Sequence, residues 1–152
     1  MIFLRNYFVN TTDGVDVLSI IHETNRTIRE ANAQEGLVTI VVPHPGAALA
    51  IIEPLPLLVE QLKQALKLFP GEGVEASNRR KEAIPVAPRV AAAILGRSVS
   101  IPLSAGKLVL GLREEPVIVD LDSSAKRREF HVQVISEEAA AQKGGAPQRP
   151  RR

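Results

Sequence analysis

The 152-residue chain is 45% hydrophobic and 24% charged, has a formal net charge of +2 and contains no cysteine. That apolar mass suits a single domain over residues 1–136, while the missing thiols exclude disulfides, thiolate metal sites and cysteine nucleophiles. Aromatics are only 3%, too few for base-stacking platforms, and no run approaches the ~20 apolar residues of a membrane span, so the expectation is a cytoplasmic protein without nucleic-acid or membrane partners.

Residues 2–9 alternate loosely through Phe3, Tyr7 and Val9 and predict a first strand that stops at Asn10-Thr11-Thr12-Asp13-Gly14. Val17, Ile21, Thr24, Ile28 and Ala31 recur at helical spacing, which predicts a helix from about 15 to 34, with Gly36 beyond its end. Leu37 to Val42 is a β-branched apolar run and reads as a buried strand, followed after a Pro43-His44 corner by a second strand over 47–52. Pro54 and Pro56 fit a first helical turn, and Leu58, Val59, Leu62, Leu66 and Phe69 make the apolar stripe of a second helix ending at Pro70-Gly71.

Residues 71–85 read as a long polar loop, and Pro88 to Leu95 as a short helix stopped by Gly96. A hairpin is expected from Val99-Ser100-Ile101 through the turn Ser104-Ala105-Gly106 to Leu108-Val109-Leu110, then strands over 116–122 and 129–136. Ser136 caps a predicted two-turn helix over 136–143. Residues 137–152 carry Lys143, Arg149, Arg151 and Arg152 against Glu137 and Glu138, so the basic pI of 9.2 comes from this tail, expected to be solvated. Hairpins clustered toward the C-terminal end indicate an α+β sandwich rather than a doubly wound parallel sheet.

The segments Gly36 to Leu49, Leu95 to Leu103, Gly106 to Leu112 and His131-Val132-Gln133-Val134 together resemble the YjbQ-like family, some of whose members are described as secondary thiamine-phosphate synthases. The resemblance covers residues 36–136 and implies an α/β sandwich of mainly antiparallel strands, assembled as a homotrimer. The family pattern has a His-Thr-Thr or His-Thr-Ser step, a histidine in the polar loop, an Ala-His pair and a Gly-Thr-Trp-Gln segment. Here these read His44-Pro45-Gly46, a loop without histidine around Glu75-Ala76-Ser77-Asn78, Pro88-Arg89, and Gly111-Leu112-Arg113-Glu114, while Asp122-Ser123-Ser124 stands in place of Asp-Gly-Pro.

Three converging imidazoles would make a zinc or nickel site, but His44 alone would need Glu53, Glu75 or Asp122 as partners, so no metal cofactor is expected. His22 and His131 read as helix and sheet residues. Arg89 and Arg113 replace family polar residues, and with His44 and Glu114 they form the candidate site for a small phosphate- or carboxylate-bearing ligand. The competing interpretation has Arg89 closing the pocket by pairing with Glu114 or Glu115. Arg79-Arg80-Lys81 and Lys126-Arg127-Arg128 read as solvated charge runs in turns. No phosphate loop or nucleophile elbow is present, and adjacent Glu114 and Glu115 on a strand would point to opposite faces. The expected function is therefore that of a diverged, non-catalytic family member binding a small anion. The rivals are an active thiamine-phosphate synthase-type transferase, with His44 as the catalytic residue, and RNA tethering through the basic tail.

Overall fold

The computed structural model describes residues 1–122, 124 and 126–137. Its strands are β1 (Ile2–Asn10), β2 (Asp16–Ser19), β3 (Gly36–Val41), β4 (Ala47–Ile52), β5 (Glu75–Ser77), β6 (Ala83–Pro85), β7 (Ser98–Ser104), β8 (Lys107–Leu108), β9 (Glu115–Asp120) and β10 (Arg127–Ser136). The helices are α1 (Ile21–Glu30), α2 (Pro56–Leu66) and α3 (Val86–Leu95). A five-stranded sheet in the order β1-β10-β3-β7-β8 faces a three-stranded sheet β2-β9-β4, with β5-β6 as a separate hairpin. Every pairing among the described residues is antiparallel, so the α+β sandwich expected from the sequence is the fold observed.

Side-chain alternation divides the core in two. Along the three-stranded sheet, Ala47, Leu49 and Ile118 pack toward Val38, Ile40, Phe130 and Val132 of the large sheet and Ile28 of α1. Ala48, Val117 and Val119 point the other way, onto Leu66 of α2 and Ala91 and Ala92 of α3. The three-stranded sheet is thus the middle layer, buried on both faces, which is why β9 reads as an almost unbroken apolar run.

The single long helix predicted over 15–34 is instead a short strand and a shorter helix. Asp16 accepts hydrogen bonds from both the backbone N–H and the hydroxyl of Thr12 at 2.9 Å, which closes the loop after β1 and lets Asp16–Ser19 pair with β9. Helix α1 then begins at Ile21 and ends before Asn32, whose φ of 50° is the left-handed conformation that stops the helix. Gly36 opens β3, because a Cβ there would lie 2.0 Å from the carbonyl oxygen of Ile135 on the paired strand.

The polar segment 71–85 is also more ordered than its composition suggests. It folds into the β5-β6 hairpin, whose tip is tied by Asn78 Oδ1 accepting from the N–H groups of Arg80 and Glu82. Ala105 and Gly106, both at positive φ, make the two-residue turn between β7 and β8. Ser136 is the last residue of β10 and Glu137 follows it outside any element; the predicted helix beyond residue 137 and the rest of the basic tail lie outside the described residues.

Candidate functional site

His44 lies in the turn joining β3 to β4, beside the ends of β9 and β10. Its Nε2 accepts the backbone N–H of Glu129 at 3.2 Å, which places the ring proton on Nδ1. Burial and the neighbouring Arg128 cation hold its pKa below the usual imidazole range, against the opposing pull of Glu129 and Asp120.

Behind His44 lies a buried ionic cluster. Arg128 donates from Nε to Asp120 Oδ2 at 2.9 Å and from Nη2 to Asp120 Oδ1 at 3.2 Å, with side-chain exposures of 7% and 1%. Arg128 also pairs with Asp122, whose second partner is Lys126 Nζ at 2.8 Å. Burial disfavours the charge on Asp122, but the hydrogen bonds from Lys126 and Arg128 prevail and hold its carboxyl below the usual carboxylate range. Arg128 loses stability as a cation through burial and regains more from Asp120 and Asp122, so its pKa is raised. Gly46 is part of this packing, because a Cβ there would lie 2.5 Å from the Asp122 carboxylate.

The run Lys126-Arg127-Arg128 is therefore not uniformly solvated. Arg127 stacks over the exposed Phe8 ring at 4.0 Å, whereas Arg128 turns inward with Phe130, Val132 and Val134. The signal was the alternation itself: Arg128 shares the parity of the buried residues of β10.

Within the chain the remaining candidates are dispersed. Arg89 Nη1 donates to the carbonyl of Pro85 at 3.0 Å, and Glu115 accepts from Ser19 Oγ at 2.7 Å, so the competing interpretation, Arg89 paired with Glu114 or Glu115, is not what the structure forms. Glu114 Oε1 accepts the Gly111 N–H at 2.6 Å and braces the loop in which Arg113 takes a φ of 65°. Glu53 is exposed after β4, and Glu75 and Asp122 line a different cavity from Arg113. No three His, Asp or Glu side chains among the described residues are placed to hold a metal.

Arg113 and Glu114 instead line a cleft of about 540 Å³ between α1 and the 106–114 segment. Ile21, Ile28, Leu108 and Leu110 form its apolar surface, and Asn25, Arg29 and Lys107 bring polar groups. Arg29, Lys107 and Arg113 form no ion pair with a described carboxylate. Sequence reading reached Arg113 but missed Arg29 and Lys107, which are ordinary surface cations until the hairpin folds against α1.

A family model described as UPF0047 protein YjbQ-like matches residues 5–137. A UPF0047 protein of Archaeoglobus fulgidus is 29% identical over 122 residues, covering 79% of this chain and 92% of its own length. A hypothetical protein from Aeropyrum pernix K1 superposes with a TM-score of 0.79 at 24% identity, over 88% of this chain and 98% of that one. An uncharacterised YjbQ/UPF0047 family protein from Clostridium acetobutylicum gives 0.75 at 22% identity, over 86% and 99%. At these identities the two solved structures establish the fold alone. No helix among the described residues is long and apolar enough to cross a membrane.

Proposed function

The chain belongs to the UPF0047, YjbQ-like family, and from that membership we propose that it is a diverged, non-catalytic member that binds a small phosphate- or carboxylate-bearing ligand in the Arg113 cleft. The observation carrying this reading is the presence of Arg29, Lys107 and Arg113 around one cleft in which the one acid among the described lining residues, Glu114, is engaged by the Gly111 N–H. An Arg guanidinium offers two parallel donors to a phosphate or carboxylate, and two further cations add attraction that salt screens. Isothermal titration with pyrophosphate tests it. Saturable binding that weakens at least about tenfold in Arg113→Ala supports the proposal, a factor equivalent to about 1.4 kcal/mol; unchanged binding in that variant refutes it.

The same reading assigns no metal cofactor and no chemistry to His44. A general base must reach its substrate's proton, yet Nε2 is occupied by the Glu129 N–H, and Asp120 and Asp122 are neutralised by Arg128 and Lys126. A direct assay for thiamine phosphate from its pyrimidine pyrophosphate and thiazole phosphate precursors is expected to give no turnover. Activity lost in His44→Ala would reinstate the enzyme.

Self-association as a cytoplasmic homotrimer completes the proposal. The outer face of the five-stranded sheet supports it, since Ile2, Ile135 and Leu37 lie in one cross-strand row and Leu4 and Phe8 are also exposed there. A solution mass of three chains by light scattering is expected, and a monomer would remove this part of the reading.

A further inference from the structure

A second cavity lies on the opposite side of the middle sheet from the Arg113 cleft's hairpin, between the end of α2, the 71–75 segment and the start of α3. Its volume is about 400 Å³, within the range of small-molecule sites. Leu66, Ala91 and Leu121 form buried wall, and Val15, Phe69 and Val86 extend it.

The cavity is held open by backbone rather than by chance side-chain placement. Val86 N–H donates to the Val74 carbonyl at 3.0 Å, and Val74 N–H donates to Gly71 at 3.0 Å, closing a turn against α3. Gly71 has a φ of 104°, and a Cβ there would come within 2.9 Å of Val86 Cγ1. These contacts fix the 71–75 segment at one separation from the helix.

The charges around this apolar space are unequal. Glu72, Glu75 and Asp122 line it, with Lys67 the one cation among the described lining residues. Asp122 is neutralised from behind by Arg128 and Lys126, while Glu72 and Glu75 have no cationic partner among the described residues. An anionic ligand would meet repulsion here, while Glu72 and Glu75 are exposed and stay accessible to a cationic group. We propose that this cavity binds a small amphiphilic amine, its apolar body against Leu66, Phe69 and Leu121 and its ammonium group at Glu72 and Glu75. This site is separate from the anion cleft and opposite in charge preference.

Matched probes test the assignment: phenethylamine, 2-phenylethanol and 3-phenylpropionate, titrated into the full chain and followed by amide chemical shifts. The amine should bind tightest, by about fivefold over the alcohol for an exposed ion pair, and the carboxylate weakest. Shifts should centre on Val74, Val86 and Leu121. The double variant Glu72→Gln, Glu75→Gln should bring the amine to the alcohol's affinity and leave the alcohol unchanged, with far-UV circular dichroism confirming that it folds. Equal binding of the carboxylate, shifts elsewhere, or no saturable binding of the amine would each overturn the proposal. A charge preference that survives the double variant would overturn it too.

Discussion

Replacing Arg128 with Met isolates the buried ionic cluster, because Met keeps most of the side chain's length and removes only its charge and donors. Asp120, fully buried, would lose hydrogen bonds of 2.9 and 3.2 Å and, among the described residues, retain the N–H of Asp122 at 3.0 Å. Asp122 would keep Lys126. Removing one partner of a buried pair typically costs about 3–5 kcal/mol, because the remaining charge is stranded without solvent. For a chain of this size each kcal/mol lowers the midpoint of thermal unfolding by about 2–4 °C, so a fall of about 6–20 °C is expected. Urea denaturation should show a lower midpoint with an unchanged slope. Adding Asp120→Asn removes the stranded charge, so the double variant should recover at least about half of the loss. A cost below about 1 kcal/mol for Arg128→Met, or no recovery in the double variant, would show that the cluster is solvated and the reasoning wrong.

Three further outcomes follow from the same geometry. Gly36→Ala drives a Cβ to 2.0 Å from the Ile135 carbonyl and should separate β3 from β10, giving an unfolded or strongly destabilised chain by circular dichroism. Gly46→Ala displaces the Asp122 carboxylate from a contact of 2.5 Å, and should cost about 1–3 kcal/mol in urea unfolding while abolishing the additional effect of Asp122→Asn. His44 has a folded pKa depressed below its unfolded value of about 6.5, so its stability contribution is present above that pH and is lost as pH falls toward the folded value. His44→Gln keeps an acceptor for the Glu129 N–H and should flatten that part of the stability profile; an unaltered profile would mean that His44 is not linked to folding.

The sandwich was legible because its signals are local. The β3 run and the α2 stripe carry their periods in consecutive residues, and Ala105-Gly106 marks the hairpin turn. The boundary at residues 15–20 was not legible, because Val17, Ile21 and Ile28 satisfy helical spacing while the strand depends on pairing with β9, about a hundred residues away. The β5-β6 hairpin was hidden for a related reason: it has few apolar anchors, and the side chain of Asn78 organises its tip.

The candidate site divides in the same way. His44 was found from its corner, and Arg113 from its substitution into the family pattern. Asp120 and Arg128 escaped notice because one lies at the end of an apolar strand and the other within a basic run. Their pairing requires β9 and β10 to be brought together across the sandwich. Arg29 and Lys107 likewise come to line one cleft only when the β7-β8 hairpin and α1 are brought together.

The most direct test of the account is a pyrophosphate titration of the isotope-labelled full chain, followed residue by residue by NMR. Saturable shifts at Arg29, Lys107 and Arg113, with His44 unmoved and the affinity falling as salt rises, are the predicted result. Shifts centred on His44, Asp120 and Asp122 would contradict it and return the family-type site to function in this chain.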